Sequence, residues 1–206
     1  MRTPEYWAQA TRELAERDDV LRALVGQFQG LALGSRGDAF STLARSIVGQ
    51  QISVKAAQSV WDSLSGRLVA VTPASVCRAR SSTLRACGLS GQKASYLKDL
   101  SRRFLDGTLD PGSWSALDDE ALIQEMTQVR GIGRWTAEMF LMFHLARPDV
   151  LPLADLGLQR AMRLHYNRGR ALSDARMRKL GATWSPWRSV ATWYLWRSLD
   201  PIPVEY

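Results

Sequence analysis

The sequence predicts an all-helical fold. Apolar residues recur at helical spacing along nearly the whole chain, and Ser, Thr, Asp and Pro stand where helices would begin. No stretch alternates apolar and polar residues for long enough to build a sheet.

The elements follow in order. A first helix is expected from Thr3 as N-cap with Pro4 in its first turn, and a second after Asp18 and Asp19. The glycines of GLALGSRGD, residues 30–38, then break the pattern. From Asp38, the residues Phe40, Leu43, Ala44, Ile47 and Val48 define one helix face, ending near the GQQ at 49–51. Ser53 can cap the next helix, with Val54, Ala57, Val60, Trp61 and Leu64 on its inner face. Short helices are expected after Thr72-Pro73 and Ser81, and a longer one over 92–105 with Ala94, Leu97, Leu100 and Phe104 inward. The helix over 117–126 has Asp118, Asp119 and Glu120 in its first turn, where acids complement the helix dipole. Next come VRGIGR at 129–134 and a helix from Trp135 to about Leu145. The proline-bounded loop RPDVLPLAD at 147–155 leads into a helix through Leu158, Ala161, Met162 and His165. Two more helices start at Ser173 and Pro186.

At 206 residues and 46% hydrophobic content the chain can bury a substantial core without staples. Its two cysteines, Cys77 and Cys87, are too few for a four-thiolate metal or iron–sulfur site and give little reason to expect disulfides. The N-terminal stretch is amphipathic and charged rather than basic then apolar, and no segment approaches the length of a membrane span. A cytoplasmic protein without a membrane partner is expected. Net charge is +7, and the excess lies toward the C-terminus: residues 128–206 hold 12 Lys+Arg against 6 Asp+Glu, eleven of the twelve being Arg. That bias favours a polyanionic partner, although an ordinary solvated basic face would have the same composition.

The most specific local feature is VRGIGRWTAEMF, residues 129–140, where one helix meets a two-glycine turn that opens directly into another. Gly131 and Gly133 allow positive φ and close backbone approach, and the free N–H groups of the turn and new helix suit a phosphate. A bare GxG is as consistent with a tight corner between helices. The match continues through Val129, Ile132, Thr136 and Ala137, however, and resembles the helix-hairpin-helix motif of DNA repair proteins. The resemblance implies that Arg130, Gly131, Gly133, Arg134 and Thr136 contact the DNA backbone. It also implies that the carbonyls of Thr127, Val129 and Ile132 hold a structural Na+ or K+.

Asp155 stands some twenty residues beyond the hairpin, where the loop turns into the next helix. Locally it reads equally well as an N-cap or as a reactive carboxylate, and the two roles can coexist. Hairpin, Pro148, Pro152 and Asp155 together resemble the DNA glycosylase superfamily named for its helix-hairpin-helix, Gly/Pro-rich loop and catalytic aspartate. In such enzymes a fixed carboxylate stabilises the oxocarbenium-like sugar as the glycosidic bond breaks. Superfamily members that also cleave the strand attack with a lysine two residues after the second hairpin glycine. Here that position is Trp135, so the resemblance implies a monofunctional enzyme that leaves the abasic strand intact and needs no diffusible cofactor.

RSIVGQQISVKAA at 45–57 and WSPWRSVATWYLW at 184–196 are similar to the 3-methyladenine DNA glycosylase II branch, and with GIGRWTAEMF the resemblance covers about residues 38–200. It implies excision of alkylated purines from double-stranded DNA by a nucleoid-associated monomer. Trp135 and Trp196 would line the base pocket, attracting cationic purines by stacking, while Trp187 and Arg188 buttress it. Gln50, Gln51 and Ile52 would fall on the loop that enters the minor groove, with Gln51 favoured as the plug that fills the gap left by the flipped base. Met139 and Leu156 stand where a bacterial member has pocket tyrosines, so a less aromatic pocket is expected, and no counterpart of that member's N-terminal β domain is expected. Two helical lobes are expected, 38–134 and 1–37 plus 135–206, with a cleft between them. The competing readings are a non-catalytic helix-hairpin-helix binding module and a glycosylase for oxidised or mismatched purines.

Overall fold

The computed structural model describes residues 3–34 and 37–199, and every regular element among them is a helix. In chain order these are α1 (Trp7–Arg17), α2 (Asp19–Gln27), α3 (Ala39–Gly49), α4 (Val54–Leu68), α5 (Pro73–Arg78) and α6 (Ser81–Ala86). They continue as α7 (Gly91–Leu105), α8 (Asp119–Thr127), α9 (Arg134–Phe143), α10 (Leu156–Tyr166), α11 (Asp174–Ala182) and α12 (Arg188–Leu199), with a short 3-10 turn at Trp114–Ala116.

Most starts are set by side-chain caps. Asp38 accepts from the Ser41 N–H, Ser53 from Ala56, Asp118 from Ala121, Asp155 from Leu158 and Ser173 from Arg176. Thr72 and Ser75 form a reciprocal capping box with Pro73 at the first position of α5.

Several expectations need correction. Helix α1 begins at Trp7 rather than beside Thr3, because Pro4 closes a turn first by accepting from the Trp7 N–H at 3.0 Å, and Trp7 is the first side chain the core takes in. Asp118 is the cap of α8 rather than part of its first turn, which leaves Leu117 outside the helix. Val54 is 73% exposed, since it opens α4 about two turns ahead of Trp61, the first buried residue of the helix. The face predicted for α3 is buried throughout.

Gly37–Phe140 is one compact unit, and the described residues on either side, 3–34 and 141–199, are the other. The second boundary thus falls after Phe140, inside α9, rather than at 134. Phe140 packs edge-to-face on the buried Trp114, so the first turns of α9 belong with the hairpin that precedes them. In this unit α7 is central and packs against α3, α5 and α6. In the other unit α12 is sheathed by α1, α2 and α10 around a core that includes Trp7, Leu14, Leu21, Leu158, Met162, Trp184 and Val190.

Candidate functional site

The hairpin is held from beneath by α7. Gly131 has φ +87°, and a Cβ there would stand 2.1 Å from the Tyr96 ring, so no other residue fits without displacing it. Gly133 differs from the expectation: its φ is not positive, and the space beside it is open. Its part is to start α9, where its carbonyl accepts the Ala137 N–H at 3.1 Å and the preceding amides of the first turn are left without helical partners. Val129 and Ile132 are buried and pin the two limbs of the turn, while Arg130 is exposed.

Asp99, a buried carboxylate the sequence reading missed, accepts the Arg130 backbone N–H at 3.0 Å and ion-pairs with Arg102 and Arg103. Burial by itself would raise its pKa. The Arg130 N–H and the two guanidiniums outweigh that effect and hold the carboxyl below its ordinary value. Arg134 is committed to carboxylates: it forks onto Glu120 at 2.7 Å through both terminal nitrogens and reaches Glu138 at 3.0 Å, which raises its already high pKa. Thr136 lies half-buried in the first turn of α9, and Trp135 beside it is 41% exposed.

The GQQ loop packs on the same unit. Gln50 turns inward, its side-chain amide donating to the Gly131 carbonyl at 2.8 Å. Gln51 is exposed with φ +59°, an uncommon backbone for a residue with a side chain, and Ile52 is 41% exposed. All three residues lie on the loop that follows α3, Gln51 and Ile52 exposed and Gln50 half-buried. Met139 is buried in α9.

In the other unit Asp155 caps α10. Its Oδ1 accepts the Leu158 N–H at 2.6 Å and the Trp196 indole N–H at 2.8 Å, so both bonds converge on one oxygen of a half-buried carboxylate. The Trp196 ring is stacked on Phe143, 5.8 Å between centroids and 10° from parallel. Gly157 makes this packing possible, since a Cβ there would lie 3.0 Å from Asp155 Oδ1 and 3.2 Å from two atoms of the Trp196 indole. Leu156, between them in sequence, is 78% exposed.

The loop that delivers Asp155 is fastened by the start of α12. Arg188 forks onto Asp149 at 2.7 and 2.9 Å, and Ser189 accepts from the Val150 N–H while donating to the Arg147 carbonyl. Trp187 is buried, stacks on Tyr6 and donates to Glu13 at 2.8 Å. Trp184 and Trp193 are core residues as well. Among the tryptophans of 184–196, then, only Trp196 meets the carboxylate.

Phe143, Gly157 and Asp99 were all missed. A glycine inside the first turn of a helix was the available signal for Gly157, because helices disfavour it unless something packs there. Nothing local marks the other two.

Residues 44–186 match the HhH-GPD superfamily of base excision DNA repair proteins. DNA-3-methyladenine glycosylase 1 of Schizosaccharomyces pombe is 31% identical over 179 residues, which cover 85% of this chain and 78% of that protein. The chain spans 41% and 66% of the length of two Bacillus subtilis relatives. Among solved structures, a DNA-3-methyladenine glycosidase from Bacillus halodurans aligns with a TM-score of 0.88 at 30% identity, covering 97% of this chain and 93% of that one. The S. pombe 3-methyladenine DNA glycosylase in complex with abasic DNA aligns at 0.76 and 27% identity, covering 95% and 100%.

Proposed function

The chain belongs to the HhH-GPD superfamily of base excision DNA repair proteins, and we propose that it is a monofunctional glycosylase releasing alkylated purines of the 3-methyladenine and 7-methylguanine type from double-stranded DNA. The observation that carries this is the Asp155 carboxylate, fixed on one oxygen by the Leu158 N–H and the Trp196 indole in a chain similar over most of its length to 3-methyladenine glycosylases.

The chemistry asks little of the protein beyond placement. The bond between sugar C1′ and the purine nitrogen breaks with its electron pair leaving on the base, and alkylation at a ring nitrogen has already made that base a better leaving group. Asp155 stabilises the positive charge that develops on the sugar, and water adds at C1′ and gives up its proton. Anchoring Oδ1 from two sides holds the carboxylate still, so no reorganisation is needed as charge develops. Trp196 offers its indole to a flat, cationic base. Leu156, exposed beside Asp155, adds an apolar wall. The turn at Gly131 and Gly133, with the first amides of α9 and Thr136, grips backbone phosphate without reading sequence, and the exposed Arg130 adds positive charge. Arg134, held by Glu120 and Glu138, supports the turn rather than the phosphate.

The carbonyls of Thr127, Val129 and Ile132 suit a monovalent Na+ or K+. They are hard oxygen donors without a carboxylate, Thr127 ends α8 where carbonyls lack helical partners, and the Val129 carbonyl accepts one N–H at 3.1 Å with a second lone pair to spare. Such an ion would add positive charge near the phosphate.

Asp155→Asn tests the reading, because asparagine keeps the helix cap but not the charge. Abasic sites formed in methylated duplex are counted by alkaline cleavage. A fall of about 100-fold or more with duplex affinity retained is expected; equal release by both proteins would remove Asp155 from the chemistry, and release by neither would leave only a binding module. Faster release from 8-oxoguanine duplexes than from methylated ones would reject the substrate class. Borohydride should trap no covalent adduct, since Trp135 stands where a Schiff-base lysine would be.

A further inference from the structure

The first three turns of α7 carry three residues at successive spacings of three, and each holds a different part of the same surface. Lys93 donates from Nζ to the Val48 carbonyl at 2.8 Å and to the Gln50 carbonyl at 2.6 Å, closing the C-terminal end of α3 where carbonyls are orphaned and the helix dipole is negative. Tyr96 lies under Gly131. Asp99 accepts the Arg130 N–H. Gln50 then closes the circuit by donating to the Gly131 carbonyl. The loop tip and the hairpin are therefore fastened to one rigid helix and to each other. What projects from the clamp is Gln51, exposed and in the left-handed region, with Ile52 beside it.

We propose that this face of α7 fixes the register between the groove-entering loop and the phosphate-binding hairpin, with Lys93 a positioning residue for opening the duplex. The inference rests on the glycosylase reading and assigns Lys93 and Gln50 a task in it. When the hairpin takes its phosphate, the clamp sets how far along the strand Gln51 arrives, so the plug meets the gap left by the departing nucleotide. Left-handed backbone at Gln51 is sustained only while its neighbours are held, and Lys93 on the Gln50 carbonyl holds the peptide unit that precedes it.

The test separates opening the helix from breaking the bond. Single-turnover release of 7-methylguanine is measured from a duplex in which the lesion is paired with cytosine, and from one in which it faces a tetrahydrofuran residue and has no partner to lose. Lys93→Met should lose tenfold or more on the paired lesion and less than threefold on the unpaired one, and Lys93→Arg, which can still reach both carbonyls, should recover most of the rate. Equal loss on both substrates would make Lys93 merely structural and overturn the proposal. If Lys93→Met does not fold, Gln50→Ala, which removes only the bond to Gly131, is carried through the same comparison with the same expected split.

Should the wild-type protein release no base from either duplex, the glycosylase reading fails. The clamp is then judged by binding alone, with 2-aminopurine placed beside a tetrahydrofuran site. At saturating protein its fluorescence should rise less with Lys93→Met than with wild type, and an equal rise would overturn the proposal.

Discussion

Gly157 decides how closely the carboxylate and the indole can approach. A Cβ at this position would press on Asp155 Oδ1 and on two indole atoms at 3.0–3.2 Å, so the neighbours would have to yield by a few tenths of an ångström. Glycine costs a helix about 1 kcal/mol relative to alanine, which means the chain keeps it here against helix propensity. Gly157→Ala should leave the thermal midpoint unchanged or slightly raised while single-turnover base release falls about tenfold, since small misplacements of a reacting group are expensive. A lowered midpoint with an unaltered rate would show that the space serves folding rather than chemistry. At this scale the sequence was only partly legible. Asp155 could be read as a helix cap from its neighbours, and the catalytic role proposed for it came from resemblance. Trp196 could not be separated from Trp184, Trp187 and Trp193 by local pattern. The partners that make those three structural, Asp18 for Trp184, Glu13 for Trp187 and Trp7 for Trp193, lie more than 160 positions away in sequence.

Elements were more legible because caps and periodicity are local. The start of α3 at Asp38, of α4 at Ser53 and of α11 at Ser173 could be read from one polar residue followed by a periodic run. The hairpin was legible as a motif but its support was not. Asp99 looks like any charged residue on a helix until the fold brings the Arg130 N–H to it over 31 positions. This support has a pH signature. Burial favours the neutral carboxyl, yet the Arg130 N–H and the Arg102 and Arg103 guanidiniums leave its folded pKa below the unfolded value near 3.9. The unfolded chain therefore binds this proton more readily. The stabilisation is complete above the unfolded pKa and is lost as pH falls through the depressed folded one. Denaturant melts at neutral pH should place Asp99→Asn roughly 1.5–3 kcal/mol below wild type, the range for hydrogen bonds to a charged group. The gap should narrow once the pH is below 3.9; a constant gap from neutral to acid would mean that the charge is irrelevant.

On the scale of the whole chain, the unit that carries Asp155 is built from both ends of the sequence. Trp7 meets Trp193 edge-to-face at 5.2 Å, the Tyr6 hydroxyl donates to the Ala146 carbonyl at 2.7 Å, and the Trp187 indole donates to Glu13. Asp18 serves both segments. Its Oδ1 caps α2 through the Val20 and Leu21 amides, and its Oδ2 accepts from the Tyr166 hydroxyl at 2.9 Å and the Trp184 indole at 3.2 Å. Burial first, and the Asp18 charge and bond after it, raise the Tyr166 hydroxyl pKa far above normal, so it stays a donor at any ordinary pH. Pairing of this kind leaves no mark in periodicity, which is why the N-terminal helices could be placed with the C-terminal ones only by resemblance. Asp18→Ala removes the cap, worth about 1 kcal/mol, strands the buried Trp184 indole N–H at about 1–3 kcal/mol, and takes the acceptor from the half-buried Tyr166 hydroxyl. Hydrogen exchange should then show protection falling across 3–34 and 141–199 while the amides of α3, α4 and α7 keep theirs. Base release should fall at temperatures where affinity for undamaged duplex, which we assign to the hairpin in 37–140, persists. If α7 loses protection as early as α12 does, the two ends do not stabilise the carboxylate's unit separately, and Asp18 secures the whole chain instead.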